Sequence, residues 1–423
     1  MTLGKEYAGR LNLVTLPELV LLHIFSYCDL KTLADLCQVC QHFNRLANED
    51  RLWRNLYQTL TVADALNPCH ETIIDDLSVV VVDGNVDIHD HIPERPSSTR
   101  CEKTIKEKCR ICFNWNRGRF QEQKLITEYI RQMPHLELEN DLIYISSRNE
   151  LSCRERLSNG RLQRTNMCLY RGHSGDITCF SVCDNNLVSA DVKGTIIGWN
   201  KATSSLEWKI ICESNSEVSA IDCCRDITVA GTRNETVKVL VKNDESVSVR
   251  HNIITSDRVW ALKINPNGNK IVCGTAGLNG ISPLRIWDLE SGLLESTIVD
   301  QPVNGAGILD VIFDDPVTMY TCGYDTCIKQ WDLRSNSNQT VRLWEDPDDV
   351  SVYCIKSRTP YSIVSGTARH GLSRLWDKRM TSKPVKMYYP KKIRSPVYAL
   401  DYTTEYLYLA LDKGIHLLDF TGY

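Results

Sequence analysis

The sequence predicts an all-β ring of seven four-stranded blades, a β-propeller, preceded by a small all-α module and a linker helix. Trp287-Asp288, Trp331-Asp332 and Trp376-Asp377 recur at separations of 44 and 45 residues, and each pair closes a short apolar run. A period of about 40–45 residues ending in Trp-Asp is that of a propeller blade. Residues 13–57 carry instead apolar positions three or four apart, the spacing of amphipathic helices.

The period extends in both directions. Forward it reaches Leu418-Asp419; backward it reaches Trp199-Asn200, with Leu240 at the step between, after the turn and alternating run from Gly231 to Val239. Positions 199, 240, 287, 331, 376 and 418 are expected to end the inner strands of six blades. One more step back lands near residue 155, where Leu142-Ile143-Tyr144-Ile145 and Leu151-Ser152-Cys153-Arg154 read as short strands. That makes seven. A single blade cannot bury both of its faces, so the blades must stack around an axis. The ring must also close, because an open edge invites pairing with other chains. Blade seven lacks an outer strand at its C-terminal side. Residues 118–129 are expected to supply it, which makes 118–423 one closed ring.

Composition limits the function. A chain of 423 residues allows two or three domains. A net charge of −4 offers no general nucleic-acid surface. No apolar run approaches the ~18 residues of a membrane span, and residues 1–10 lack a signal-peptide core. The 18 cysteines then read as reduced thiols of a cytoplasmic or nuclear protein. Cys37/Cys40 and Cys109/Cys112 have zinc-pair spacing but read as small apolar residues facing helical cores. Asp87-Ile88-His89-Asp90-His91 is sequence-local and lacks a supporting shell, so no metal and no cofactor are expected. There is no phosphate-cradling Gly-rich loop ending in Lys-Ser/Thr, no Gly-x-Ser-x-Gly elbow and no His-Glu-x-x-His. No catalytic residue is expected.

In the helical module, Pro17 suits a first helical turn, with Thr15 as N-cap. Asp29 or Thr32 opens a second helix carrying Leu33, Leu36, Cys37, Cys40 and Phe43 on one face, and a third element ends in Leu52-Trp53-Arg54-Asn55-Leu56. So few residues make a core too small to be very stable alone. The first helix also has more apolar positions than one buried face uses, which implies a partner. Residues 61–100 lack periodicity. Residues 71–100 hold seven acidic side chains against two Arg, an acidic and mobile insertion in composition. Residues 101–117 read as a linker helix, a stiff spacer between the two units.

Arg171-Gly172-His173 and the Trp-Asp pairs together resemble the WD-repeat family. In that family a His, a Ser/Thr, a turn Asp and the Trp form a hydrogen-bonded tetrad. Here His173, Ser189 and Trp199 match, while Lys193 stands where the turn Asp is expected. Leu16-Pro17, Ile24-Phe25-Ser26-Tyr27, Leu33, Val39-Cys40 and Leu52-Trp53 resemble an F-box, with Leu19 and Cys28 departing from its pattern. An F-box followed by a WD-repeat propeller resembles the substrate receptors of Skp–cullin–F-box ubiquitin ligases. The motifs Asp257-Arg258-Val259-Trp260, Ser282-Pro283-Leu284-Arg285-Ile286-Trp287-Asp288-Leu289 and Cys322-Gly323-Tyr324-Asp325-Thr326 extend the likeness through the ring.

The resemblance implies a non-catalytic receptor. Its F-box binds the Skp adaptor, and through it cullin and RING subunits; its propeller binds a protein target destined for ubiquitination. The residues implied at the adaptor are Leu16, Pro17, Val20, Ile24, Phe25, Leu30, Leu33, Val39, Cys40 and Trp53. Targets of such receptors contact the residue just inside each blade's start, here Thr178, Ser219, Trp260, Asp310, Tyr353 and Tyr398. They also contact the turn before the Trp-Asp strand, here Arg233, Tyr324 and Arg369. Aromatics give large contact area at low entropy cost, and Arg clamps a carboxylate or phosphate. The alternative reading is a WD-repeat scaffold whose helical module docks a different partner. Neither involves nucleic acid or membrane.

Overall fold

The structure, a computed structural model, describes residues 13–59, 103–126 and 133–422, apart from 184–185, 213–215, 244–245, 279, 299–304, 335–338 and 392. The 61–100 insertion, with its Asp87 to His91 stretch, lies outside the described residues, as do 127–129.

The helical module begins with a 3-10 turn, Leu13–Thr15, then α1 (Glu18–Phe25), α2 (Leu30–Val39), α3 (Gln41–Ala47) and α4 (Asp50–Thr59). Thr15 therefore sits inside a turn and Pro17 takes the cap position of α1, with no side-chain cap bond. Asp29 caps α2 by accepting the Thr32 N–H at 2.8 Å. The expected face running from Leu33 through Cys40 to Phe43 is broken at Cys40. Cys40 is extended (φ −160°) and its sulfur accepts the Phe43 N–H at 3.4 Å, so it caps α3 instead of continuing α2.

The module's core closes only with help from the linker. Helix α5 (Ile105–Arg117) starts in a reciprocal Thr104/Glu107 capping box and stops at Gly118, which takes the left-handed conformation (φ 66°) natural to glycine. Its N-terminal half joins the module: Cys109 is fully buried among Leu21, Phe25, Leu33, Phe43 and Trp53, with its sulfur 3.4 Å from the Trp53 carbonyl. Burial pushes the Cys109 thiol up to about 12, so it is neutral packing material. The C-terminal half of α5 joins the ring. Trp115 stacks on Phe420 at 3.8 Å, donates its indole N–H to the Thr404 carbonyl at 2.9 Å, and its own carbonyl accepts from the Tyr388 hydroxyl at 2.9 Å. One helix thus belongs to both cores.

Seven four-stranded antiparallel sheets follow. Blades one to six take strands β2–β5 (136–171), β6–β9 (177–211), β10–β13 (218–254), β14–β17 (259–298), β18–β21 (308–345) and β22–β25 (352–388). Blade seven takes β26 (Ala399–Tyr402), β27 (Tyr406–Leu411) and β28 (Gly414–Asp419), and its fourth strand is β1 (Gln121–Ile126). β1 pairs antiparallel with β28, with Gln121 opposite Asp419 and Gln123 opposite Leu417.

The first strand of each blade packs on the first strands of its neighbours and lines the axis. The Trp-Asp strands, expected innermost, are third out: β16 (Leu284–Asp288), β20 (Cys327–Asp332) and β24 (Ser373–Asp377). Blades diverge with distance from the axis, and an indole fills the wider gap there. Three indoles are anchored to a hydroxyl on the second strand: Trp199 to Ser189 at 2.7 Å, Trp331 to Thr321 at 2.9 Å and Trp376 to Ser365 at 2.9 Å. The tetrad in blade two is complete after all. Asp191, at the end of the second strand, lies 3.1 Å from His173 Nδ1 and accepts the Lys193 and Thr195 N–H groups at 2.9 and 2.8 Å. The carboxylate stands two residues before Lys193, at the end of the second strand instead of within the turn.

Three blade junctions share one device. A carboxylate on an axial strand accepts a backbone N–H from the next axial strand: Asp222 from Ile264 at 2.9 Å, Asp310 from Ile355 at 2.9 Å, and Asp401 from Leu138 at 3.0 Å. Asp310, expected on the target rim, is therefore a tie between blades five and six. Burial raises its pKa.

Candidate functional site

The loops entering the axial strands surround a cavity of about 460 Å³. Seven of the nine predicted rim residues line it: Thr178, Ser219, Arg233, Trp260, Tyr324, Tyr353 and Tyr398. Four of these are rings on four consecutive blades, forming a continuous wall. Trp260 meets Tyr324 at 5.3 Å and 73°, Tyr324 meets Tyr353 at 6.2 Å and 87°, and Tyr353 meets Tyr398 at 6.3 Å. Edge-to-face contacts of this kind hold the rings in place before any ligand arrives. The Tyr398 hydroxyl is further fixed by Asp412 at 2.8 Å.

The other lining residues divide by role. The Thr178 hydroxyl donates to the Val218 carbonyl and the Ser219 hydroxyl to the Val259 carbonyl, so both tie neighbouring blades. Arg233 is held by Glu217 at 3.1 Å. Burial raises the Glu217 pKa against the pull of Arg233. His135 is pushed down to about 4, first by burial and then by Lys356, and is neutral near pH 7. Arg258 also lines the cavity, and among the described residues no carboxylate holds it. It was missed as a rim residue because it precedes its strand by one position, although the Asp257-Arg258-Val259-Trp260 motif contained it. Arg369 is exposed but lies outside the cavity; its carbonyl accepts from the Thr367 hydroxyl and from the Leu372 N–H, both at 3.2 Å.

A second surface lies on α1. Val20, Ile24 and Tyr27 form a stripe at helical spacing and are 43, 38 and 79% exposed, with Leu19 beside them at 81%. Val39 is also exposed, as is Pro17; Leu16, Leu30 and Cys40 are half-buried against the module. Phe25, Leu33 and Trp53, expected at the adaptor, are inside the core at 2, 1 and 2% exposure. They shape the surface from beneath: Phe25 packs edge-on against Phe43 at 5.4 Å, and Trp53 donates to the Ala47 carbonyl at 2.7 Å. Leu19 and Tyr27 take their place outside. The signal for them was the apolar surplus of α1, but spacing alone does not say which stripe faces out.

Known proteins place this pairing of surfaces. An F-box-like family model matches residues 13–59. Human F-box/WD repeat-containing protein 4 is 34% identical over 96% of this chain and 92% of its own length. The chain belongs to the F-box/WD-repeat family. The mouse protein of the same description is 33% identical over the same shares. Among solved structures, the β-propeller domain of Myceliophteria thermophila Cps50 (Swd1) covers 70% of this F-box/WD-repeat chain and 99% of its own, with a TM-score of 0.58 at 13% identity, a likeness of fold. Among the described residues of this family member, no group of three or more His, Cys, Asp or Glu is placed to hold a metal.

Proposed function

We propose that this F-box/WD-repeat protein is the substrate-recognition subunit of a Skp–cullin–F-box ubiquitin ligase, without catalytic residues of its own. The α1 face binds the Skp adaptor, which brings cullin and RING subunits, and the cavity rim captures a protein target for ubiquitination and degradation. The observation that carries this reading is the double membership of α5. It ties the module that carries the exposed apolar α1 face to the ring that carries the aromatic rim, with Cys109 in one core and Trp115 in the other. A stiff connection raises the effective concentration of a captured target near the transferring enzyme. Its cysteines, read as reduced thiols, suit the cytoplasm or nucleus.

Charging the α1 face should abolish adaptor capture. Leu19→Glu with Ile24→Glu removes about 1.5–3 kcal/mol per buried side chain and adds unpaired charge, at positions exposed in the free chain. Affinity purification should then lose the Skp adaptor and cullin. Undiminished recovery of both would refute the F-box role.

Trp260→Ala with Arg258→Ala should stop target capture while adaptor binding persists, because neither residue is part of the ring's interior. Quantitative proteomics of captured ubiquitinated proteins checks this. An unchanged target set would remove the cavity from the recognition surface. Arg233 is already paired with Glu217 and Arg369 lies elsewhere, so a phosphate would find only Arg258 to meet it, and phosphorylation should raise the affinity of a target peptide by no more than that single contact gives.

A further inference from the structure

Where α5 ends, it meets the outer strand of blade six, β25 (Lys386–Tyr388), and its flanking loops. Together they enclose a groove of about 710 Å³, separate from the axial cavity. Arg117, Lys383, Lys386 and Lys391 line it, and no carboxylate does. Among the described residues none of the three lysine ammonium groups has an ion pair, and the Arg117 guanidinium lies 5.5 Å over the Phe113 ring. The carboxylates at the margin are engaged elsewhere. Asp348 holds the buried Arg374 at 2.7 Å, and Glu122 accepts the Lys391 backbone N–H at 2.8 Å and lies 3.2 Å from His416 Nδ1. Between the cations the floor is apolar, with Met387 and Tyr389 43 and 57% exposed.

We propose that this groove docks an acidic peptide segment of a protein partner, one with apolar side chains between its carboxylates. Four like charges facing one groove repel each other and draw in an anion of matching spacing. The apolar floor selects the kind of anion. A phosphate backbone would gain nothing from Met387 and Tyr389, whereas leucine or aromatic side chains of a peptide bury against them. The groove is also short and isolated. Nucleic acid is gripped by many cations along a track, and a chain of net charge −4 does not extend this patch into one. A segment docked here would lie against the end of α5 and the outside of blade six. A target or ligase subunit could then be held at a second point while the axial rim binds independently.

The test uses the full chain and fluorescence anisotropy with a labelled short peptide of Glu-Glu-Leu repeats. The expected result is binding that weakens as salt rises. Combined Lys383→Glu, Lys386→Glu and Lys391→Glu should weaken it by about tenfold or more without changing the melting temperature. Trp260→Ala should leave it unchanged, which separates this groove from the rim reading. Failure of the wild-type chain to bind the peptide would overturn the proposal. So would equal binding by the triple variant, equal binding of a Lys-Lys-Leu peptide, or tighter binding of a single-stranded oligonucleotide through the same lysines.

Discussion

Trp115→Ala is expected to destabilise the protein by about 3–5 kcal/mol, the range for truncating a fully buried Trp. Its indole is wholly inside the core of blades six and seven, stacked on Phe420 and edge-on to Tyr388 at 5.1 Å. Three losses add. The cavity takes one ring contact from each of Phe420, Tyr388 and Tyr402. The Thr404 carbonyl loses its indole donor. The end of α5 loses its main anchor on the ring. The variant should melt well below wild type in scanning calorimetry, and amides of α5 should exchange faster with deuterium. Under the proposed function, poly-ubiquitination of a captured target should also fall even where adaptor and target each still bind, because the spacer no longer holds them in fixed relation. Phe113→Ala, at a half-buried ring on the same helix, should cost far less. Equal stability of Trp115→Ala and wild type would show that α5 does not carry the connection.

Asp401→Ala should cost about 3 kcal/mol. Breaking a buried ion pair costs about 3–5, and the figure lies at the low end because the Arg358 side chain is 40% exposed and regains water. The carboxylate is fully buried. It accepts from Arg358 Nε at 2.8 Å on blade six and from the Leu138 N–H at 3.0 Å on blade one, while Arg358 also donates to the Leu138 carbonyl at 2.8 Å. Loss of the carboxylate takes its acceptor from the Arg358 guanidinium and from the Leu138 and Tyr402 N–H groups, at the junction where the last blade meets the first. Burial works to raise the Asp401 pKa, but the bonds and charge of Arg358, with Lys356 and the Leu138 N–H, outweigh it and hold the carboxyl below its usual value. The unfolded chain therefore takes up the proton first as pH falls. This contribution is fully present above about pH 4 and is lost as pH drops through the folded value. Urea melts at pH 7 and across pH 5 to 3 check both points. Asp401→Asn should lose less than Ala, since its amide oxygen still accepts from Leu138, and should flatten the acid limb. An Asn variant with wild-type acid sensitivity would exclude Asp401 as its source.

Legibility in the sequence followed the physics of each feature. The Trp-Asp period survives in sequence because four of the seven blades fill the same outer gap with an indole, and Leu240 and Leu418 fill it in two more, and it located even the degenerate blade whose third strand ends at Glu155. The rim rings were legible because a residue's place in the repeat sets its height on the ring. Asp191 was missed because the tetrad carboxylate sits at the end of the second strand, two residues before the expected turn position at Lys193, and still reaches His173 from there. Asp310 was misread because a position just inside a blade points either to the mouth or to the neighbouring strand, and backbone spacing does not distinguish them.

By itself the sequence determined the seven blades, the helical module and the order of the two, because period and amphipathic spacing are local properties of the chain. Only the tertiary structure decided which of the module's apolar side chains face outward. Phe25, Leu33 and Trp53 turn inward because α5, distant in sequence, completes their core, and that leaves Leu19, Ile24 and Tyr27 exposed. It likewise decided that Arg258 is unclaimed while Arg233 is paired, and that Arg117 meets Lys383, Lys386 and Lys391 across one groove. Charge pairing depends on which loops and strands meet in space, and no short-range pattern in the chain records those meetings.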